Sequence, residues 1–174
     1  KKTNKKSKNN LKKLLKEDNS IIKSLSPKYK YTFSKKISLK LKKYTNVKVI
    51  GMGGSILGTE AIYDFLRHKT KKNFCFINNL KPNFKLNNNK KKFLNLIVSK
   101  SGNTLETISN VNINLKDKDK NIFITENRNS YLFLLAQKMK AEIIHHNNFI
   151  GGRFSVLSEV GMLLSLIHIS EPTR

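Results

Sequence analysis

Apolar residues recur along this chain in two alternating modes: short unbroken runs, and longer stretches spaced three and four apart. Val47–Ile50, Asn73–Asn78, Phe93–Val98, Asn121–Thr125 and Ala141–His145 are short runs rich in β-branched and aromatic residues, and each predicts a strand. Between them the period lengthens. Leu57, Ala61 and Phe65 form a helical stripe that Ile56 and Ile62 widen, and Leu105, Ile108 and Val111 form a second. Tyr131–Met139 predicts a third helix, and Gly151-Gly152-Arg153 opens a last one through Val156, Val160 and Leu163. The run Phe93–Val98 is apolar enough to be buried on both faces, as strands of parallel sheets are. Strand and helix alternating over short links predict an α/β fold: a three-layer αβα sandwich around a parallel sheet of about five strands.

Ahead of this region lies a lysine-rich lead-in. Residues 1–9 have nothing to bury and are expected to be disordered. Leu11, Leu14 and Leu15 follow with helical spacing, with Asn10 as the expected N-cap; Ile21, Ile22 and Leu25, then Ile37, Leu39 and Leu41, lie on either side of a break at Ser26-Pro27. The expected division is a basic, partly disordered helical lead-in over residues 1–45 that packs on the main domain, the α/β domain over 46–164, and a tail over 165–174. Lys81–Lys92 is a charged, Asn-rich loop with no predicted element.

Composition changes this picture little. The net charge is +24, from 35 Lys and Arg against 11 Asp and Glu, which raises the question of nucleic acid. The charge is nearly all Lys, spread along the chain, and accompanied by abundant Asn, Ile and Phe, the signature of A/T-rich coding. Arginine forks and exposed aromatics for reading bases are mostly missing, so nonspecific adhesion at low salt is expected and no specific nucleic-acid role. The single cysteine, Cys75, sits in the apolar run Phe74–Ile77 and reads as a core residue of a reducing compartment. No run approaches a membrane span and the amino terminus lacks a signal-peptide h-region, so a cytoplasmic location is expected. The chain does not begin with Met and ends without a closing element, which suggests a fragment.

Three loops carry candidate chemistry, each following a predicted strand. In Gly51-Met-Gly-Gly-Ser-Ile-Leu-Gly58, strand, glycine turn and helix would aim bare backbone N–H groups at an anion. A dinucleotide fingerprint needs glycine where Ile56 stands, and a Walker A loop needs Lys-Ser/Thr where Thr59-Glu60 stand, so neither nucleotide motif applies. A merely tight strand-to-helix turn stays open as the alternative. In Ser99-Lys-Ser-Gly-Asn-Thr104, three hydroxyls and a glycine precede a helix start, and Lys100 adds a point charge. That is the make-up of a phosphate cradle; the plainer reading is a helix capped by Asn103 with Glu106 three residues on. In Gly151-Gly152-Arg153, the glycines let backbone approach a ligand while a planar cation points at it, against the alternative that Arg153 pairs with Glu159 or caps a neighbouring helix. His145 and His146 are adjacent on a strand and so face opposite ways, and His68 lies in a lysine-rich turn. No metal-ligand spacing and no Ser-His-Asp set emerges.

In this order and spacing, the loops Gly51–Gly58, Ser99–Thr107 and Gly151–Gly161 resemble glucose-6-phosphate isomerase, over about Val47 to Met162. The resemblance implies a sugar-isomerase (SIS) fold in a cytosolic, usually homodimeric enzyme of glycolysis and gluconeogenesis. Such an enzyme interconverts glucose 6-phosphate and fructose 6-phosphate with no cofactor and no metal. It implies phosphate ligands at Ser99, Ser101 and Thr104 with Lys100 alongside, sugar contacts at Gly54, Ser55 and Gly152, and a catalytic Arg153 that stabilises the enediolate. In that family the carboxylate base, a ring-opening His and a Lys come from beyond this region. The lead-in is shorter than the family's, and Ser165–Arg174 does not resemble its continuation and reads as non-native. An inactive half-site is therefore expected; a non-catalytic phosphosugar-binding SIS module is the alternative.

Overall fold

The computed structural model describes residues 4–80, 92–116 and 119–168, so the tail beyond 168 and most of the Lys81–Lys92 loop lie outside the described residues. Two compact units divide between Lys30 and Tyr31. In the first, helix α1 (Lys5–Leu14) is capped by the Asn4 side chain, which accepts from Lys6 N, and it buries no residue. The expected cap, Asn10, therefore lies inside the helix. Asn19 caps the short α2 (Ser20–Ser24) by accepting from Ile22 N.

The second unit holds α3 (Lys35–Lys42), capped by Ser34, and then the alternating α/β region. Strands β1 (Asn46–Gly51), β2 (Asn73–Ile77), β3 (Leu94–Val98), β4 (Lys120–Thr125) and β5 (Glu142–His145) form one sheet in the order β2-β1-β3-β4-β5. Every pairing is parallel. Helices α4 (Gly54–Leu66), α5 (Leu105–Asn114), α6 (Tyr131–Lys138) and α7 (Glu159–His168) complete the unit. Side chains alternate across the strands, and two cores result. Val47, Val49, Leu96, Ile122, Ile124 and Ile144 face Leu41 of α3, Ile56 of α4 and Val160 and Leu163 of α7. Ile50, Ile97 and Phe123 face Val111 of α5 and Leu132 and Ala136 of α6. This is the three-layer αβα sandwich around a five-stranded parallel sheet.

Two helical stripes differ from expectation. In α4, Leu57 is 57% and Phe65 78% exposed, while Ile56 and Thr59 are buried and Ile62 and Tyr63 pack on the core. This helix carries apolar residues on several sides, so periodicity alone did not select the inward one; the aromatic contacts of Tyr63 with Phe74 and Phe76, at 4.9 and 5.6 Å between centroids, do. In α5, Leu105 is 72% exposed and the buried face runs through Thr107, Asn110 and Val111. The last helix is also divided. Gly152–Leu157 is a 3-10 segment, and α7 begins only at Glu159.

One polar row crosses the second core near the amino ends of the strands. Lys48 stands beside Asn95, which stands beside Asn121. The buried Lys48 ammonium donates to Asn114 O at 3.2 Å, at the carboxyl end of α5, and lies 4.0 Å from Asp119 and 4.7 Å from the Phe93 ring centroid. Burial pushes its pKa down and the Asp119 carboxylate pulls it back up. Asn95 Nδ2 donates to Asn121 Oδ1 at 2.7 Å.

Phe123 is fully buried at the centre of the sheet, so Phe123→Ala should cost about 3–5 kcal/mol in chemical denaturation. Leu105→Ala, on the exposed side of α5, should change stability by less than about 0.5 kcal/mol.

Candidate functional site

The strand order defines where a site can form. β2 lies on one side of β1 and β3 on the other, so the chain reverses its direction of winding between them. Helices α4 and α5 then leave neighbouring strand ends toward opposite faces, and a crevice opens outside the carboxyl ends of β1 and β3. Both of the first two candidate loops flank it.

The first loop turns at Gly53, whose φ of 53° and ψ of −132° suit glycine alone among the residue types. Gly54 and Ser55 begin α4. The second loop gathers its hydroxyls tightly. Ser99 Oγ lies 3.1 Å and Ser101 Oγ 3.4 Å from Thr104 Oγ1, while Gly102 N donates to Ser99 Oγ at 3.2 Å and Asn103 N to Ser101 Oγ at 3.3 Å. Thr104, not Asn103, is the N-cap residue of α5, and its side chain makes no capping bond to the helix. Asn103 Oδ1 instead accepts from Tyr131 N at 2.8 Å, tying the loop to the start of α6. The capping pair Asn103 and Glu106 is thus replaced by a hydroxyl cluster at the amino end of α5, where the helix dipole favours negative charge.

This loop is held from behind. Gly102 has φ +66°, and a Cβ there would come 2.0 Å from Ser130 Oγ and 3.0 Å from Thr125 Oγ1. Leu132 N donates to Gly102 O, and Glu126 N and Thr125 Oγ1 donate to Lys100 O. The Lys100 ammonium reaches away along the loop, to Glu126 at 3.3 Å and to Asn148 O at 2.7 Å. Glu126 also holds Arg128 at 3.1 Å.

The third loop arrives by an unexpected route. β5 lies three strands from β1, a span of about 14 Å at the usual spacing, yet Gly152 is beside Ser55. After β5 the chain turns back over the carboxyl ends of the sheet. His146 N donates to Thr125 O, Asn148 O takes the Lys100 bond, Asn147 builds a turn by accepting from Phe149 N and Ile150 N, and the buried Ile150 anchors the far side. The segment then meets α4 backbone to backbone. A Cβ on Gly54 would lie 2.6 Å from Arg153 N and 2.7 Å from Gly152 C, and one on Gly152 would lie 3.7 Å from Ser55 Oγ. Gly54, Ser55, Gly152 and Arg153 therefore converge at the end of β1, and Ser99, Ser101 and Thr104 converge at the end of β3 beside it. Lys100 is the exception, turned toward the returning segment. Arg153 is exposed, and none of the ion pairs among the described residues engages it.

His145 is exposed and His146 buried. Burial holds the His146 pKa below 6.5, against the Asn147 carbonyl bonded to its Nδ1 at 2.9 Å and the charges of Glu159 and Glu126, which raise it; Lys100 lowers it further. Sequence reasoning missed Thr125, Ser130 and Asn148 as supports of the loops. Only Ser130 had a local signal, a serine immediately before a helical run. Among the described residues no group of three or more His, Cys, Asp or Glu could hold a metal ion, and no helix is long and apolar enough to cross a membrane.

Fold and geometry together define a doubly wound α/β protein with an anion-suited hydroxyl loop at its switch point. Crystal structures of a hypothetical protein from Thermus thermophilus (TM-score 0.64, 23% identity, 76% of this chain and 37% of that one) and of a tagatose-6-phosphate ketose/aldose isomerase from Escherichia coli (TM-score 0.56, 16% identity, 74% and 38%) share this fold. The model of the phosphoglucose isomerase family matches residues 22–170, and the chain belongs to that family. It is 37% identical over 165 residues to the glucose-6-phosphate isomerase of Borreliella afzelii and 42% identical over 130 residues to that of Methanocaldococcus jannaschii, covering 81% and 68% of this chain. It spans 31% and 32% of the length of those two relatives.

A methyl at position 102 meets both a disfavoured φ and the Ser130 side chain, so Gly102→Ala should lower stability by at least about 1–3 kcal/mol and weaken binding of inorganic phosphate, read by denaturation and calorimetry. His146 predicts a pH effect of definite sign. Its folded pKa is lowered, so the unfolded chain binds the proton more readily; stability is fully present above pH 6.5 and falls as pH drops below it. Denaturation midpoints across that window should show this slope, and His146→Gln should flatten it.

Proposed function

We propose that this chain is the phosphosugar-gripping part of a glucose-6-phosphate isomerase, a larger protein that interconverts glucose 6-phosphate and fructose 6-phosphate. The observation that carries the reading is the convergence of Ser99, Ser101 and Thr104 at the amino end of α5 beside the Gly54–Arg153 contact. The hydroxyls and the backbone N–H groups of the first turn of α5 hold the phosphoryl oxygens. Gly54, Ser55 and Gly152 leave backbone and one hydroxyl open to the sugar. Arg153 faces the carbon end of the substrate and stabilises the enediolate oxygen as a proton moves between C1 and C2, a fixed cation at a point where charge develops. Lys100 contributes to the local potential through its place behind the loop, since its ammonium is shared with Glu126.

The proton transfer itself belongs to the remainder of the larger protein. Of the carboxylates near these loops, Glu126 is held by Lys100 and Arg128, Glu159 is buried at the start of α7, and Glu106 stands in the first turn of α5. A homodimeric state and a cytoplasmic location are proposed for that larger protein as well.

The test is binding and turnover on this chain. Glucose 6-phosphate should bind weakly but saturably in calorimetry, and a coupled isomerase assay should stay at background. The double variant Ser101→Ala/Thr104→Val removes two bonds to a charged group and should weaken binding about tenfold or more. Wild-type affinity in that variant would sink the phosphate assignment. Turnover above background would place the base within this chain.

A further inference from the structure

The 3-10 segment that carries Arg153 is clamped at its other end. Val156 lies one 3-10 turn beyond Arg153. A Cβ on Gly58, one α-turn after Gly54 on the same side of α4, would lie 2.8 Å from both Val156 Cβ and Val156 Cγ2. A Cβ on Gly161 of α7 would lie 1.9 Å from Val156 O and 3.1 Å from Ile62 Cδ1. Val156 is thus pressed from both sides by helices that lack a side chain where it rests. Between Arg153 and Val156 the segment is stiff: Phe154 N donates to Gly151 O, Ser155 Oγ to Gly152 O at 2.7 Å, and Ser158 Oγ to Ser155 O at 2.8 Å.

We propose that Gly58 and Gly161 are positioning residues that set the seat of the Arg153 segment on the turn at Gly54. The inference rests on the role given to Arg153 above. A contact of 2.8 Å between carbons must open to about 3.5 Å or more, and a carbon 1.9 Å from an oxygen must move further still. A segment braced by its own hydrogen bonds passes that displacement to its first residue rather than absorbing it. The atoms nearest a Cβ at either glycine belong to Val156 and Ile62, not to the hydroxyl loop at Ser99–Thr104. A methyl at either position therefore moves Arg153 and leaves the phosphate cradle where it is.

Two probes separate these effects by calorimetry on the whole chain. Inorganic phosphate reads the hydroxyl loop. Gluconate 6-phosphate reads the loop and, through a carboxylate standing in for the enediolate, Arg153 as well. The wild-type chain should prefer gluconate 6-phosphate, and Arg153→Ala should reduce that preference about tenfold. Gly58→Ala and Gly161→Ala should reduce it at least fivefold, with phosphate affinity kept within twofold, a split that general loss of folding does not produce. Val156→Ala, which slackens the clamp without overpacking, should lower the preference too and decides the matter if either glycine variant fails to melt cooperatively. A preference unchanged in the glycine variants, or in Val156→Ala where it is the deciding variant, but lost in Arg153→Ala overturns the positioning role alone. If Arg153→Ala changes nothing, the role of Arg153 falls, and this inference with it.

Discussion

The seat of the returning segment on the carboxyl rim of this sheet depends on one contact between main chains, Gly54 of α4 against Gly152 and Arg153. The distances from a hypothetical Cβ at Gly54, 2.6 to 2.8 Å to three backbone atoms, leave room for hydrogen only. A side chain there would lift the returning segment from α4. The segment has come a long way to reach this point, from the edge strand β5 back across β4 and β3 to β1. Without a close seat at the end of that path, the bonds along it would hold a loop over the sheet but would not fix Arg153 beside the first turn of α4.

The hydroxyl loop follows a different logic. Its geometry is set by saturation: Lys100 O, Gly102 O and Asn103 Oδ1 are all claimed by donors from the end of β4 and the start of α6. Ser99 and Ser101 accept from Gly102 N and Asn103 N, and with Thr104 keep their remaining capacity for one another and for whatever lies in front of them. A loop braced in this way loses little freedom when an anion arrives, so more of the interaction energy appears as affinity. The brace and the site are built on adjacent strand ends. Each loop can therefore be perturbed separately, through Gly102 for one and through Val156 for the other.

How much of this was legible in the sequence depended on the kind of force involved. The strands were legible because burial on both faces leaves an apolar run that no helix of similar length needs, as in Leu94–Val98. The positions of the loops were legible because closely spaced glycines and hydroxyls follow strands there, though a tight turn or a capped helix uses the same residues. The inward faces of α4 and α5 were not, since both helices carry apolar residues beyond those they bury, and partners such as Phe74 and Phe76 lie on another strand. The burial of Lys48 had no local signal either; it depends on Asn114 O, Asp119 and the Phe93 ring, contributed by distant parts of the chain. The return of residues 146–151 across the sheet has no local signature, because what holds it is a lysine forty-eight positions earlier, bonded to Asn148 O.

The large positive charge plays a part distinct from these loops. A net charge of +24 draws any anion toward the surface and raises the encounter rate at low salt. It does not distinguish one anion from another, and salt screens it over about 8–10 Å at physiological strength. Lys100, the cation nearest the hydroxyl loop in sequence, is paired with Glu126, so the loop does not owe its sign to a free lysine. The positive end of α5 and the exposed Arg153 guanidinium are what remain; the helix end is set by its own backbone, and the Arg153 main chain by its contact with Gly54. On the function proposed above, selectivity for a phosphosugar over phosphate resides in the spacing between that helix end and Arg153, which salt affects far less than it affects the surface field.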